Sequence, residues 1–198
     1  MVRESTIRRA TKETEIDVAL RLEGHGNVDV ETGIGMLDHM LSQLGKHGGF
    51  DLMVRAQGDL SVDAHHTVED LGLSLGQALN EALGTRAGVA RMADRTVALD
   101  EALVQVVVDL SGRPFASIGL EFVGENVGEL PTAMVTHFLQ SFAQEARITL
   151  HVRQMEGEND HHIAEATFKA LARALRDAVQ VIEGEADSVP STKGTLDA

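Results

Sequence analysis

The chain has 198 residues, and its 17 basic and 31 acidic side chains give 17 − 31 = −14 formal charges before nine histidines are considered. At 43% hydrophobic and 24% charged residues it can bury a core, which excludes a disordered chain; the acidic balance, with no Lys/Arg-rich run, argues against a nucleic-acid or membrane-surface role. Zero cysteines exclude disulfides, thiolate metal sites and cysteine nucleophiles, and no apolar signal segment opens the chain, so a soluble cytoplasmic protein is expected.

In chain order, Ile16, Val18, Leu20 and Leu22 alternate with polar or small residues and predict a strand with one buried face. Helical spacing follows over Met36–Leu44, then alternation returns at Phe50, Leu52 and Val54. Val68, Leu71, Leu75 and Leu79 predict a helix running to Leu83. Val104–Leu110 and Ile148–Val152 repeat the two strands, and Ile163 to Val179, with Phe168, Leu171 and Leu175, repeats the helix. Apolar runs such as Ala102–Val108, broken by Gln105, fall well short of the roughly 20 residues of a membrane helix. Each half reads strand, strand, helix, strand, helix. That pattern predicts an α+β fold of two duplicated two-layer halves, packed helix face to helix face. The expected divisions are 1–92, 93–184 and a polar tail, 185–198, forming a loop or a frayed end.

The histidines carry the duplication. His39 and His137 each stand 13 residues before a strand leucine, since 39 + 13 = 52 and 137 + 13 = 150. His65-His66-Thr67-Val68-Glu69 and His161-His162-Ile163-Ala164-Glu165 each open a helix. The offsets are 137 − 39 = 98 and 161 − 65 = 96, so the second turn is two residues shorter.

Positions i and i+4 share a helix face, so His65/Glu69 and His161/Glu165 are each spaced to hold one cation. His66 and His162 lie about 100° further round and must serve something else, either the other half's ion or one in a neighbouring subunit. Symmetry then divides the ligands into His39, His65, Glu69 and His162 for one ion and His137, His161, Glu165 and His66 for the other, with exchange of His66 and His162 left open. Nitrogen and oxygen donors without sulfur suit manganese, although zinc is also compatible. The spacing differs from His-Glu-x-x-His, which disfavours a metalloprotease. Asp70 and Asp160 are either partners that orient imidazoles or helix-terminal charges. His25, His47 and His151 have no repeated partner and receive no site role.

Five segments resemble imidazoleglycerol-phosphate dehydratases: Thr32–Leu41, His65–Asp70, Asp109–Phe115, Asn159–Lys169 and Ser191–Gly194. The resemblance spans nearly the whole chain. It departs at Phe115, where members often carry Tyr, and at Arg91-Met92-Ala93, where Arg-Phe-Gly is usual. It implies mostly antiparallel four-stranded sheets, as in ribosomal protein S5 domain 2, and two Mn²⁺ per active site. It also implies trimers assembled into a 24-mer with active sites between subunits. The implied reaction dehydrates imidazole glycerol phosphate to imidazole acetol phosphate in histidine biosynthesis, through imidazolate and diazafulvene species. In similar proteins the acid/base carboxylate falls on Glu13, with Glu69 and Glu165 as further catalytic carboxylates. Substrate contacts fall on Glu13, His39, His65, His66, Glu69, Arg91, Arg113, Ser191, Thr192 and Lys193, with Arg91, Arg113, Ser191 and Lys193 around the phosphate. The residues alone would leave Glu13 a solvated charge and Ser191–Gly194 an unstructured tail.

Two rival functions use the same histidines. A metal-stapled structural shell needs the eight ligands but has no use for Glu13, Arg91, Arg113 or Lys193. A binuclear hydrolase needs ions about 3.5–4 Å apart with a bridging ligand, which separate ligand sets do not offer.

Overall fold

Alternating burial builds two four-stranded sheets in the computed structural model, which describes residues 2–185 and 188–196. Positions 186, 187, 197 and 198 of the expected tail lie outside the described residues. The first half contains β1 (Glu4–Ala10), β2 (Thr14–Arg21), β3 (Val28–Glu31), α1 (Gly35–Gly48), β4 (Asp51–Gly58) and α2 (His65–Leu83). The second contains β5 (Met92–Leu99), β6 (Ala102–Asp109), β7 (Phe115–Gly119), the small hairpin β8 (Asn126–Val127) and β9 (Leu130–Pro131), then α3 (Thr132–Ala146), β10 (Thr149–Glu156) and α4 (Asp160–Ala178). No helix among the described residues is long and apolar enough to cross a membrane.

The sheets share one topology, β1-β2-β4-β3 and β5-β6-β10-β7. Three strands of each are antiparallel neighbours, and the last, β3 or β7, runs parallel to β4 or β10. The central pairs are in matching register, Val18 opposite Val54 and Val106 opposite Val152, and all four side chains are buried. Periodicity in the sequence locates two strands per half, β2 and β4 and then β6 and β10; the outer strands β1 and β5 were expected from the repeated pattern without residues assigned to them. β3 and β7 escape it because they have only 4 and 5 residues, sit at a sheet edge and bury little.

Helices α2 and α4 begin at or one residue before the paired histidines, as their motifs lead one to expect, and polar groups cap their first turns. Asn159 accepts the backbone N–H groups of His161 and His162 at 2.9 and 3.3 Å, and Asp63 accepts that of His65 at 2.8 Å. The paired histidines therefore sit in the first helical turn, as expected.

All four helices cover the inner faces of the sheets, and they pack across the duplication: α2 against α3, and α1 against α4. Two glycines permit the first contact. A Cβ at Gly72 would come within 2.9 Å of Ser141 Cβ, and one at Gly76 within 2.8 Å of the Ala146 backbone nitrogen. Phe138 on α3 reaches Phe168 on α4 with ring centroids 5.5 Å apart, joining the two helix pairs in one core. The β8–β9 hairpin, present in the second half alone among the described residues, supplies Glu129, which accepts the Met36 N–H at 2.9 Å at the start of α1.

Candidate active site

The crossed helix packing decides which histidines meet. His39 on α1 lies with His161 and Glu165 on α4, and His137 on α3 lies with His65 and Glu69 on α2. The grouping of His39 with His65 and Glu69 expected from symmetry is therefore incorrect, as is that of His137 with His161 and Glu165. Sequence order pairs each lone histidine with the helix following it, but α1 does not pack on α2; it packs on α4.

The two clusters have similar composition and different closeness. Glu165 Oε2 is 3.0 Å from His39 Nε2 and 3.1 Å from His161 Nε2. Glu69 stands 3.6 Å from His65 Nε2 and 3.7 Å from His137 Nε2. Within each cluster the donor atoms lie within 4.8 Å of one another, close enough to share a cation. His137 Nε2 is buried with no hydrogen-bond partner, and such an atom carries a desolvation cost that a cation would remove. These residues fit a divalent ion with positions to spare.

A cation of the protein's own sits beside one cluster. Lys169 Nζ is 2.6 Å from Glu165 Oε1. Partial burial would push the Glu165 carboxyl up, but Lys169 and the hydrogen bonds from His39 and His161 outweigh it and hold it at about 2. Glu69 has Leu73 one turn on in place of that lysine.

His66 and His162 join neither cluster. His66 Nδ1 lies 3.0 Å from Asp59 and 3.9 Å from Glu13, while His162 Nδ1 lies 2.7 Å from Glu101. The hydrogen bond to Asp59 raises the His66 pKa, and that to Glu101 raises the His162 pKa. The hydrogen bond from His162 is also the main reason that the Glu101 carboxyl is held at about 2. Asp59, Glu101 and Lys169 are site residues that the sequence reading missed. Lys169 was legible as an i+4 partner of Glu165; Asp59 and Glu101 follow no helical spacing and are brought in by strand ends.

Glu13 is exposed in the turn between β1 and β2. Asp70 performs neither expected role: it accepts from Arg9 Nε at 2.9 Å and Thr14 Oγ1 at 2.5 Å, fastening α2 to its sheet. Asp160 is the helix-terminal charge of the second alternative, the first residue of α4, and it also accepts the backbone N–H groups of Val123 and Gly124 at 3.0 and 2.7 Å, holding a loop against α4. His47 is near Gln43, His151 near Phe115, and the His25 backbone N–H donates to Asp51; none reaches a cluster.

The remaining candidates gather elsewhere. Arg91, Arg113, Ser191, Thr192 and Lys193, with Pro190 and Leu196, line a pocket of about 510 Å³. Asp109 grips Arg91 through two hydrogen bonds of 2.7 and 3.0 Å, and Arg91 Nη1 donates to the Pro190 carbonyl at 2.7 Å. The described part of the tail is the loop of the two expected alternatives, with Leu196 only 4% exposed and its carbonyl close to Gly112. Arg113 and Lys193 are exposed, and Arg113 Nη1 donates to the Ser111 carbonyl at 3.2 Å.

Each half thus lends ligand-type side chains to a cluster built on the other, which defines a duplicated α+β enzyme with paired histidine–carboxylate centres. The imidazoleglycerol-phosphate dehydratase family model matches residues 32–175. The chain is 55% identical over 194 residues to the imidazoleglycerol-phosphate dehydratase of Acidothermus cellulolyticus, covering 98% of this chain and 93% of the relative. It is 52% identical to that of Nitrobacter hamburgensis, covering 98% and 99%. Among solved structures, the dehydratase of Pyrococcus furiosus in complex with (S)-C348 superposes with a TM-score of 0.82 at 36% identity, covering 96% of this chain and 99% of that one. The Staphylococcus aureus enzyme gives 0.82 at 34%, covering 90% and 99%. The chain belongs to the imidazoleglycerol-phosphate dehydratase family, hydro-lyases of histidine biosynthesis.

Proposed function

We propose that the chain dehydrates imidazole glycerol phosphate to imidazole acetol phosphate with two Mn²⁺ per active site, in a cytoplasmic shell of trimers forming a 24-mer. The observation that carries this reading is the pair of crossed clusters, His39/His161/Glu165 and His65/Glu69/His137, each three donors strong. Each would be completed by an outward histidine, His66 or His162, from a neighbouring subunit.

Strand length supports sites shared between subunits. Arg91 precedes β5 and Glu101 follows it, so the basic pocket and the His161/His162 end lie at opposite ends of an eight-residue strand, about 26 Å apart. A small phosphorylated imidazole cannot span that within one chain.

Bound at the two ring nitrogens, divalent ions would supply the Lewis acidity that lets the ring lose its N–H proton and push electron density outward. The chain's own groups do the rest. Arg113, as a planar fork, and Lys193, as a mobile point charge, hold the phosphate with Ser191 and Thr192, while Arg91 anchors the tail segment that carries Ser191, Thr192 and Lys193. That segment also keeps water from the reacting carbons. The hydroxyl on the ring-bearing carbon leaves as water. Glu13 takes the proton from the neighbouring carbon, which keeps its own hydroxyl, and the resulting enol becomes the ketone. Glu69 and Glu165 hold their ions and balance the charge at the ring.

The test follows ketone formation by purified protein with added Mn²⁺, alongside mass by light scattering before and after EDTA. Activity and the large assembly should be lost together and return with Mn²⁺. Absence of ketone with Mn²⁺ would refute the activity, and an unchanged mass after complete metal removal would refute the shared sites.

A further inference from the structure

The two halves orient their outward histidines with different residues. Sheet register makes the turn carboxylates equivalent: Val18 opposite Val54 corresponds to Val106 opposite Val152, so the β2-to-β6 offset is 106 − 18 = 88. Adding it to Glu13 gives 13 + 88 = 101. Glu13 and Glu101 each immediately precede the first residue of a central strand.

Their environments differ. In the first half Asp59, just past β4, takes His66 Nδ1 at 3.0 Å and leaves Glu13 at 3.9 Å. In the second half β10 carries a bulge between Gln154 and Glu156, and Glu158 meets Glu101 only through its backbone N–H, at 3.4 Å. Glu101 takes the ring instead, at 2.7 Å from His162 Nδ1, and its other oxygen accepts the Asn159 N–H at 2.9 Å. A neutral imidazole that donates from Nδ1 must present its lone pair at Nε2. Neither outward Nε2 has a hydrogen bond among the described residues, and the nearest carboxylate oxygen to His162 Nε2, on Asp100, is 3.9 Å away.

We propose that Asp59 and Glu101, at positions not related by the duplication, are positioning residues that act alike, each fixing its histidine as the Nδ1–H tautomer with Nε2 turned outward to a cation on a neighbouring subunit. Because Asp59 takes over that role from Glu13 in the first half, the Glu13 carboxylate alone of the equivalent pair stays free for proton transfer. The inference rests on the metal-bound reading above and extends it to residues that touch neither substrate nor cation.

Solid-state ¹⁵N spectra of histidine-labelled, metal-free protein at about pH 8.5 read the tautomer directly, and the His162 resonances are those missing from His162→Asn. Wild type should show His162 protonated at Nδ1. Glu101→Leu should move that signal toward the Nε2–H form and weaken Mn²⁺ binding, measured by titration calorimetry, about 10- to 100-fold. Glu101→Gln, whose carbonyl still accepts a hydrogen bond, should recover most of both, and Glu13→Gln should bind Mn²⁺ like wild type. An unchanged His162 tautomer in Glu101→Leu overturns the proposal, as does wild-type Mn²⁺ binding by that variant while His162→Asn binds weakly. Wild-type Mn²⁺ binding by His162→Asn itself would instead defeat the ligand role of His162 on which the proposal rests.

Discussion

The two halves share a sheet order, a helix order and a histidine pattern, yet side chains around the shared pattern differ at several places. Glu165 has Lys169 beside it where Glu69 has Leu73. His162 leans on a turn residue, Glu101, and His66 on a strand-end residue, Asp59. With the helix offset of 96, Gly72 and Gly76 on α2 correspond to Phe168 and Ala172 on α4. The lesson is that duplication preserves what sets the scaffold and frees what sets the chemistry. Backbone register tolerates little change, whereas a carboxylate need only arrive within hydrogen-bond distance, from whichever strand end is nearest.

The comparison is broken most severely at the two turn carboxylates. Glu13→Gln should lower kcat by about 10²–10⁴-fold with Mn²⁺ content and particle mass unchanged, as expected for loss of an acid/base group. Comparable activity in that variant, in a steady-state assay of ketone formation, would remove the distinction drawn between Glu13 and Glu101.

A smaller effect is expected from the helix contacts. Gly76→Ala pushes a methyl against the α3 backbone, and no flexible side chain is there to yield. It should destabilise the protein by about 1–3 kcal/mol in urea unfolding and weaken the His65/Glu69/His137 cluster more than the other. At Ala172, the equivalent position on α4, Ala172→Gly should cost only about 1 kcal/mol, through helix propensity. Equal losses at the two positions would show that the α2–α3 approach is not especially close.

The smallest effect separates the two cluster carboxylates by pH. Glu165, held at about 2 in the folded chain, lies below the ordinary carboxylate range, so its ion pair stabilises fully above about pH 4.5 and ceases to do so as pH falls through about 2. In metal-free protein, Lys169→Met should therefore lose about 1 kcal/mol at neutral pH. The deficit should stay constant to about pH 5 and shrink below that. A deficit that grows on acidification would reverse the assigned sign; it would be read from urea midpoints across that range.

Much of the fold and the site was legible in the residues alone. Period-two and period-3.6 spacing gave the central strands and three helices, the repeated offsets gave the duplication, and i,i+4 spacing put each His–Glu pair on one helix face. The short edge strands β3 and β7 carried too few residues for a periodic signal. Asp70 and Asp160 look alike in sequence beside the two motifs, and only the structure shows one fastening a helix to its sheet and the other holding a loop. Asp59 and Glu101 were silent, because no local spacing relates a strand end or a turn to a ring it reaches across a gap of 7 or 61 residues.

The amino-acid order by itself determined the inventory: which side chains can bind, how many copies of the unit there are, and which residues share a turn of helix. These are local properties, set by backbone geometry within a few residues. Tertiary structure alone decided the partnerships, joining His39 to Glu165 and His137 to Glu69 across the duplication. The physical reason is that such contacts depend on which apolar helix faces bury against each other, α1 on α4 and α2 on α3, a choice made by the summed packing of two whole halves.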